Sequence, residues 1–338
     1  MKEKICILGG GSWGATLAAH LADNGHDVSL WEYDKTLAER LSSQRTLSTL
    51  PQLRLPAGIR VTSDIGAALR GRAVVVGVTP SHTVRSTFKS AVASGVLETG
   101  ALIVSAAKGL EEGSLATMSQ IVREVFPGAG DIVILSGPSH AEEVSVKCPV
   151  AMVAASRNAV AAGRVRDLFA SDTFRVYTSD DPLGVELGGS LKNVYAVACG
   201  VIDGLGLGDN TKAALMTRGL AEMTRLGKSM GASPVTFFGL SGLGDLIVTC
   251  TSRHSRNRLL GEKIGKGKSL AEALAEMTMV AEGVKTTKAA QQLAEKAGAA
   301  MPIVTEMHRI LFAGKPPRES MKDLMSRQMR AEMEGIVV

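Results

Sequence analysis

Through the first half of the chain, short β-branched runs alternate with stretches whose apolar positions return at helical spacing. The runs are KICILG, DVSLWE, AVVVGVT, ALIVSAA, DIVILSG, PVAMVAA and FRVYTS, the last ending at Ser179. Near-continuous apolar strands separated by helices predict βα units on a largely parallel, doubly wound sheet. Beyond Asp180 the strand signals fade, and KAALMTRGLAEMTRLGKSMG and SLAEALAEMTMVAEGVKTTKAAQQLAEKAG show helical spacing. The expectation is an α/β domain over 1–179 followed by an all-α domain over 180–338. Gly208 to Asn210 and Gly265 to Lys268 read as turns between helices, and the tail from Met321 to Val338 as a further helix.

Composition narrows the class. At 338 residues the chain is longer than one hydrophobic core usually supports, in keeping with two domains. No apolar run reaches the roughly 18 to 20 residues of a membrane span, so a soluble protein without membrane insertion is expected. The start, MKEKICILGG, runs straight into a strand and glycines without the apolar core of a signal peptide, which predicts no export. Cys6, Cys148, Cys199 and Cys250 stand far apart, a distribution that suits a reducing cytoplasm and neither a disulfide framework nor a zinc knuckle. The histidines form no ligand cluster, so no metal is expected. A net charge of +5 with 4% aromatics and no long basic block argues against nucleic acid. That balance fits small anionic ligands, or scatter over a solvated surface.

The chemistry starts at ILGGGSWG. Gly9, Gly11 and Gly14 satisfy G-x-G-x-x-G between a strand and the helical stretch WGATLAAHLADNG. Gly9 permits the tight turn, Gly11 lets backbone approach a pyrophosphate, and Gly14 lets helix and strand pack closely. The helix start offers N–H groups to the phosphates. This Rossmann-type arrangement predicts a dinucleotide cofactor. Glu32, just past the second strand, can accept hydrogen bonds from a ribose 2′-hydroxyl and would repel a 2′-phosphate, which favours NAD over NADP. Tyr33 and Lys35 leave a phosphate pocket open as the alternative.

Three charges stand alone in apolar company: Lys108 in ALIVSAAKG, Lys192 in LGGSLKNVYAVACGVI and Asp245 in FFGLSGLGDLIVTCTS. Desolvating an unpaired ammonium or carboxylate costs several kcal/mol, so such a group has a partner, a ligand or a shifted pKa. A lysine that snorkels to water or a structural ion pair is the plainer alternative for any one of them. A lysine beside a cofactor loop can move a proton at the oxygen of a carbonyl undergoing hydride transfer. Ser255, Arg256 and Asn257 open a further predicted helix, where Ser255 suits an N-cap and Arg256 an anchor for phosphate. A basic solvated helix start would look the same.

The ordered set GGGSWG, SAAKGLE, LSGPSHAEEV, GGSLKNVYAVACGVIDGLGLGDN, GLSGLGDLIVTCTSRHSRNRLLG and MPIVTEMHRIL resembles the bacterial NAD(P)-dependent glycerol-3-phosphate dehydrogenases along nearly the whole chain. The resemblance implies interconversion of dihydroxyacetone phosphate and sn-glycerol 3-phosphate for phospholipid synthesis, with NAD(H) or NADP(H) and no metal. It also implies a cytoplasmic homodimer. Carried onto matching positions, it makes Lys192 the proton donor and acceptor with Asn193 beside it, and places Lys108 at both cofactor and substrate. Gly137 and Ser139 would line the substrate site, and Ala141 the cofactor. Asp245 and Thr249 would hold the lysine and Asp245 touch substrate, while Ser255, Arg256 and Asn257 bind substrate and Arg256 also meets the cofactor. Ser12, Trp13, Tyr33, Val280 and Glu282 fall at cofactor contacts. Two other readings stay open on the residues alone: a dehydrogenase of the β-hydroxyacid or 6-phosphogluconate kind, and a dinucleotide-sensing module without chemistry.

Overall fold

The fold follows from the strand pattern. The structure, a computed structural model, describes residues 2–277, 281–329 and 331–332. The chain divides into two compact units, one formed by 1–108 and 116–182, the other by 109–115 and 183–338.

The first unit carries one eight-stranded sheet: β1 (Lys4–Leu8), β2 (Asp27–Trp31), β3 (Arg60–Thr62), β4 (Val74–Gly77), β5 (Leu102–Ser105), β6 (Ile132–Ser136), β7 (Val150–Ala155) and β8 (Phe174–Ser179). Their order is β3-β2-β1-β4-β5-β6-β7-β8, parallel throughout except where β6 meets β7. The strand order reverses between β1 and β4, the point at which sheets of this kind bind ligands outside the carboxyl ends of their strands. Ile5, Ile7, Leu30 and Val76 enter one core, while Cys6, Leu8, Trp31 and Val75 enter another. Alternate side chains therefore feed both faces of the sheet, and helices close each face. The sequence pattern anticipated seven of these strands. It missed β3, whose three residues are too short to show a period.

The second unit is helical. Its centre is the helix Pro182–Leu205, buried on every side from Gly184 to Ile202, as an apolar helix inside a core must be. Around it stand Gly208–Ser229, Asp245–Thr251, Arg256–Gly265, Leu270–Ala275, Glu282–Ala297, Pro302–Phe312 and Pro317–Met325. Gly200 and Gly204 of the central helix and Gly261 and Gly265 of Arg256–Gly265 bring these two helices into backbone contact. A Cβ on Gly261 would lie 1.9 Å from the Val197 carbonyl oxygen, and one on Gly200 1.9 Å from that of Arg258.

Two local expectations are corrected. Residues 208–210 are no turn between helices: they form the first turn of Gly208–Ser229, entered through Gly208 at φ +80°. The tail helix stops at Met325, beyond which the described residues are exposed; without a buried face a short helix loses most of its stabilisation. All four cysteines are free thiols. Among the described residues no helix is long and apolar enough to cross a membrane, and no group of three or more His, Cys, Asp or Glu could hold a metal ion.

Candidate active site

In the sheet unit the glycine loop leaves β1 and opens the helix Ser12–Asp23. Gly9 sits at φ +119°, a conformation that side chains resist, and its N–H donates to the Trp31 carbonyl at 2.9 Å. A Cβ on Gly14 would fall 1.8 Å from the Gly9 oxygen, so only glycine lets the helix close on the turn. At Gly11 the same test meets nothing within 4 Å, leaving open space over the loop. No side chain caps the first turn of the helix. The Trp13 indole Nε1 is buried without a hydrogen-bond partner among the described residues. Open backbone donors at a helix start, free approach at Gly11 and an orphaned indole N–H fit a dinucleotide.

Glu32 closes this loop from the end of β2. One carboxylate oxygen accepts from Gly10 N at 2.8 Å and the other from Asp34 N at 2.9 Å. The charge is therefore fixed in place, with lone pairs left for a further donor. Ser12 and Thr49 share a hydroxyl hydrogen bond of 3.0 Å. Tyr33 is 84% exposed and meets Trp31 edge to face.

A second cluster of this unit lies beyond β5 and β6, at the same carboxyl edge. Lys108 Nζ donates to the Gly137 carbonyl at 3.0 Å and to Ser139 Oγ at 3.1 Å, while Ser139 Oγ donates to Gly137 O at 2.9 Å. Gly137 has φ +139°, and a Cβ there would press on Met152 Cα at 3.0 Å. Ala141 is buried at the start of the short helix Ala141–Val144.

In the helical unit Lys192 is buried on the central helix, and its ammonium donates to the Asp245 carboxylate and to Thr249 Oγ1 at 2.8 Å. Asp245 and Thr249 are buried one turn apart on Asp245–Thr251, and Thr249 Oγ1 also donates to the Asp245 carbonyl at 2.6 Å. Glycines bring the two helices together. A Cβ on Gly188, one turn before Lys192, would lie 2.7 Å from the Ser241 oxygen, and one on Gly242 2.1 Å from the Phe237 oxygen. The wide helical turn Leu240–Gly244 packs into that gap and delivers Asp245.

Asn193 and Asn257 meet in the same unit, Asn257 Nδ2 donating to Asn193 Oδ1 at 2.9 Å. Ser255 is the N-cap of Arg256–Gly265, its Oγ accepting from Arg258 N at 3.3 Å, and Arg256 is exposed at the helix start. Glu282 opens Glu282–Ala297, half-buried. Val280 lies outside the described residues.

These two assemblies have counterparts. Residues 4–162 match the model for the N-terminus of NAD-dependent glycerol-3-phosphate dehydrogenase, and 181–322 that for its C-terminus. The chain belongs to this family. A glycerol-3-phosphate dehydrogenase [NAD(P)+] of Geobacter sp. (strain M21) is 49% identical over 335 residues, covering 98% of this chain and 99% of the relative. One from Pelotomaculum thermopropionicum is 50% identical over 342 residues, covering 100% and 97%. The crystal structure of glycerol-3-phosphate dehydrogenase from Coxiella burnetii superposes with a TM-score of 0.92 at 36% identity, over 96% of this chain and 99% of that one. The glycerol-3-phosphate dehydrogenase family thus accounts for both units, the α/β one and the helical one.

Several features of this dehydrogenase escaped the sequence. The Gly10 to Glu32 bond is one; the paired glycines of 200/204 and 261/265, whose four-residue spacing was legible, are another. A third is Glu222, buried on Gly208–Ser229. It accepts from Ile303 N at 2.7 Å, Val304 N at 3.3 Å and Tyr195 Oη at 3.2 Å. Burial pushes its carboxyl up to about 7 despite the backbone donors that oppose the shift.

Proposed function

We propose that this dehydrogenase reduces dihydroxyacetone phosphate reversibly to sn-glycerol 3-phosphate, with NAD(H) favoured over NADP(H). The observation that carries this reading is the Lys192 ammonium, buried on an apolar helix and held by Asp245 and Thr249. The dinucleotide, when bound, supplies the hydride that the substrate carbonyl carbon accepts. Lys192 protonates the oxygen on that carbon as negative charge develops, and retrieves the proton in the reverse direction. Asp245 and Thr249 fix the direction of the ammonium, and Asn193 offers a neighbouring amide. Arg256, with Ser255 at the helix start, binds the phosphate, for which a guanidinium fork is suited. Lys108, Gly137 and Ser139 serve substrate, and Lys108 and Ala141 serve the cofactor. Gly9, Gly11, Ser12, Trp13 and Gly14 bind its pyrophosphate side, Glu32 and Tyr33 its adenosine side, and Val280, Glu282 and Arg256 its remaining contacts. Glu32 sets a fixed negative charge where a 2′-phosphate would come.

A cytoplasmic homodimer belongs to the same proposal. Four free thiols support the reducing compartment, and the family resemblance supports the dimer. A phosphate anchor favours this substrate over β-hydroxyacids, and a buried lysine with an aligned carboxylate has no purpose in a mere sensor. Parallel assays of NADH and NADPH oxidation at 340 nm with dihydroxyacetone phosphate test the reading. Absorbance that stays flat with both cofactors would overturn it, and faster NADPH oxidation would overturn the cofactor preference alone.

A further inference from the structure

The helical unit carries a cavity of about 520 Å3, a size within the range of roughly 300 to 1,000 Å3 usual for small-molecule sites. Its walls come from Gly208–Ser229, from the start of Pro302–Phe312, from Pro317–Met325 and from the chain just beyond. Leu215, Pro302, Ile303 and Leu324 make those walls largely apolar. Glu222, 1% exposed, lines the cavity at one side and the exposed Arg327 at another, so the space runs inward from solvent to the core.

Arginine supplies most of its charge. Arg218, Arg225 and Arg327 all line the cavity, and none of them forms an ion pair among the described residues. Arg218 Nη1 donates to the Glu332 carbonyl at 2.8 Å, and Arg225 Nε and Nη2 both donate to the Ala300 carbonyl at 3.2 Å. A guanidinium has five N–H donors, so each arginine keeps several for a further acceptor. The three share the cavity with two carboxyls, Glu222 and Glu332. Glu222 is already engaged by Ile303 N, Val304 N and Tyr195 Oη, and burial pushes it up to about 7. Positive charge is therefore in surplus over an apolar wall.

That combination selects its ligand from two directions. A bare anion would leave the apolar wall wet, and a neutral hydrocarbon would leave the guanidiniums without an acceptor. We propose that the cavity binds an amphipathic anion, a carboxylate or phosphate monoester head on a hydrocarbon body. The head takes charge-assisted hydrogen bonds from Arg218, Arg225 and Arg327, and the body covers Leu215, Pro302, Ile303 and Leu324. None of these residues is assigned to substrate or cofactor, so the site stands or falls independently of the reductase reading.

Sodium decanoate and decyl phosphate are the probes, titrated into the full-length protein by calorimetry below their micelle concentrations. Each should bind saturably, and each should displace the other. Decanol, the body alone, and acetate, the head alone, should both bind more weakly than decanoate by roughly tenfold or more. Arg218→Gln and Arg225→Gln should each weaken decanoate roughly tenfold, the size of one lost charge-assisted hydrogen bond. Arg327→Gln should act in the same direction and, lying in an exposed stretch, carries no risk of unfolding. Ala214→Trp, which fills the cavity from an exposed position of its wall, should abolish binding with Tm near the parent value.

Decanol or acetate binding as tightly as decanoate would overturn the proposal. So would unchanged affinity in Ala214→Trp and in all three arginine variants. A parent that takes up neither probe overturns it as well, and two further measurements then name the occupant. Uptake gained by Ile336→Asp would assign the cavity to the chain's own last residues. Uptake gained only on dilution to monomer would assign it to a second copy of the chain.

Discussion

Particular helix starts in the two units are treated in opposite ways. In the sheet unit, Ser12–Asp23 begins without a side-chain cap, over a loop with open space at Gly11. In the helical unit, two starts are satisfied by side chains from elsewhere in the unit: Glu222 accepts from Ile303 N and Val304 N of Pro302–Phe312, and Asn257 from Gly283 N of Glu282–Ala297. The first unit offers backbone to an outside anion; the second uses backbone to fix its own side chains. The difference teaches where each kind of chemistry resides. Phosphate recognition needs only unspent donors at a strand end, whereas proton transfer needs a side chain held still inside a core.

The largest effect is expected at the side chain that the helical unit holds. Lys192→Ala should lower turnover by about a thousandfold while NADH affinity, followed by fluorescence, stays near the parent value. A variant that keeps a tenth of the parent rate would end the assignment of proton transfer to this unit.

Next comes the internal cap. The Glu222 carboxyl lies at about 7 when folded against an ordinary 4.5, because burial disfavours its charge. The folded state thus holds the proton more tightly, so the stabilisation is complete below about pH 4.5 and is lost as pH rises through about 7. At about 1.4 kcal/mol per pH unit this amounts to about 3 kcal/mol across the window. Denaturant titrations of the parent and Glu222→Gln at several pH values should show that slope in the parent and flatten it in the variant. Equal slopes would mean that the carboxylate is ionised at no cost.

Glycines sharpen the contrast further. Gly261→Ala should destabilise by about 2 kcal/mol, since its Cβ would meet the Val197 oxygen at 1.9 Å and force two helices apart. Gly11→Ala, in open space, should leave Tm unchanged and weaken dinucleotide binding instead. Thermal unfolding beside cofactor titration checks both, and a Tm loss at Gly11 would show that its role is structural.

The smallest effect concerns the charge at the end of β2. Glu32→Gln keeps one acceptor for the loop and removes a like charge worth about 1 kcal/mol against a phosphate at hydrogen-bonding range. The NADPH to NADH ratio of kcat/KM should rise about fivefold. An unchanged ratio would place cofactor choice elsewhere.

Legibility in the sequence differed between the units for a physical reason. Gly9 acts through backbone conformation, Gly14 through close approach and Gly11 through open space, all within six consecutive positions, so spacing alone exposes them. Lys192 and Asp245 were visible as lone charges in apolar runs, but their partnership was not, because 53 positions separate them. Asn193 and Asn257 were each marked as candidates, but their hydrogen bond to one another was not visible until helix packing joined them across 64 positions. Glu222 was hidden in a stretch, GLAEMTRLGK, where charges at helical spacing look like an ordinary solvated face.

By itself, the sequence determined what depends on neighbours along the chain: the βα alternation, the phosphate loop, the helical second half and the two types of charged residue available for chemistry. Tertiary structure alone decided which groups meet. Hydrogen bonds and steric contacts act over a few ångströms, and close packing at Gly188, Gly200, Gly261 and Gly283 helps bring distant side chains of the helical unit within that range. The direction of a proton or an amide is therefore a property of the packed core and not of any stretch of residues.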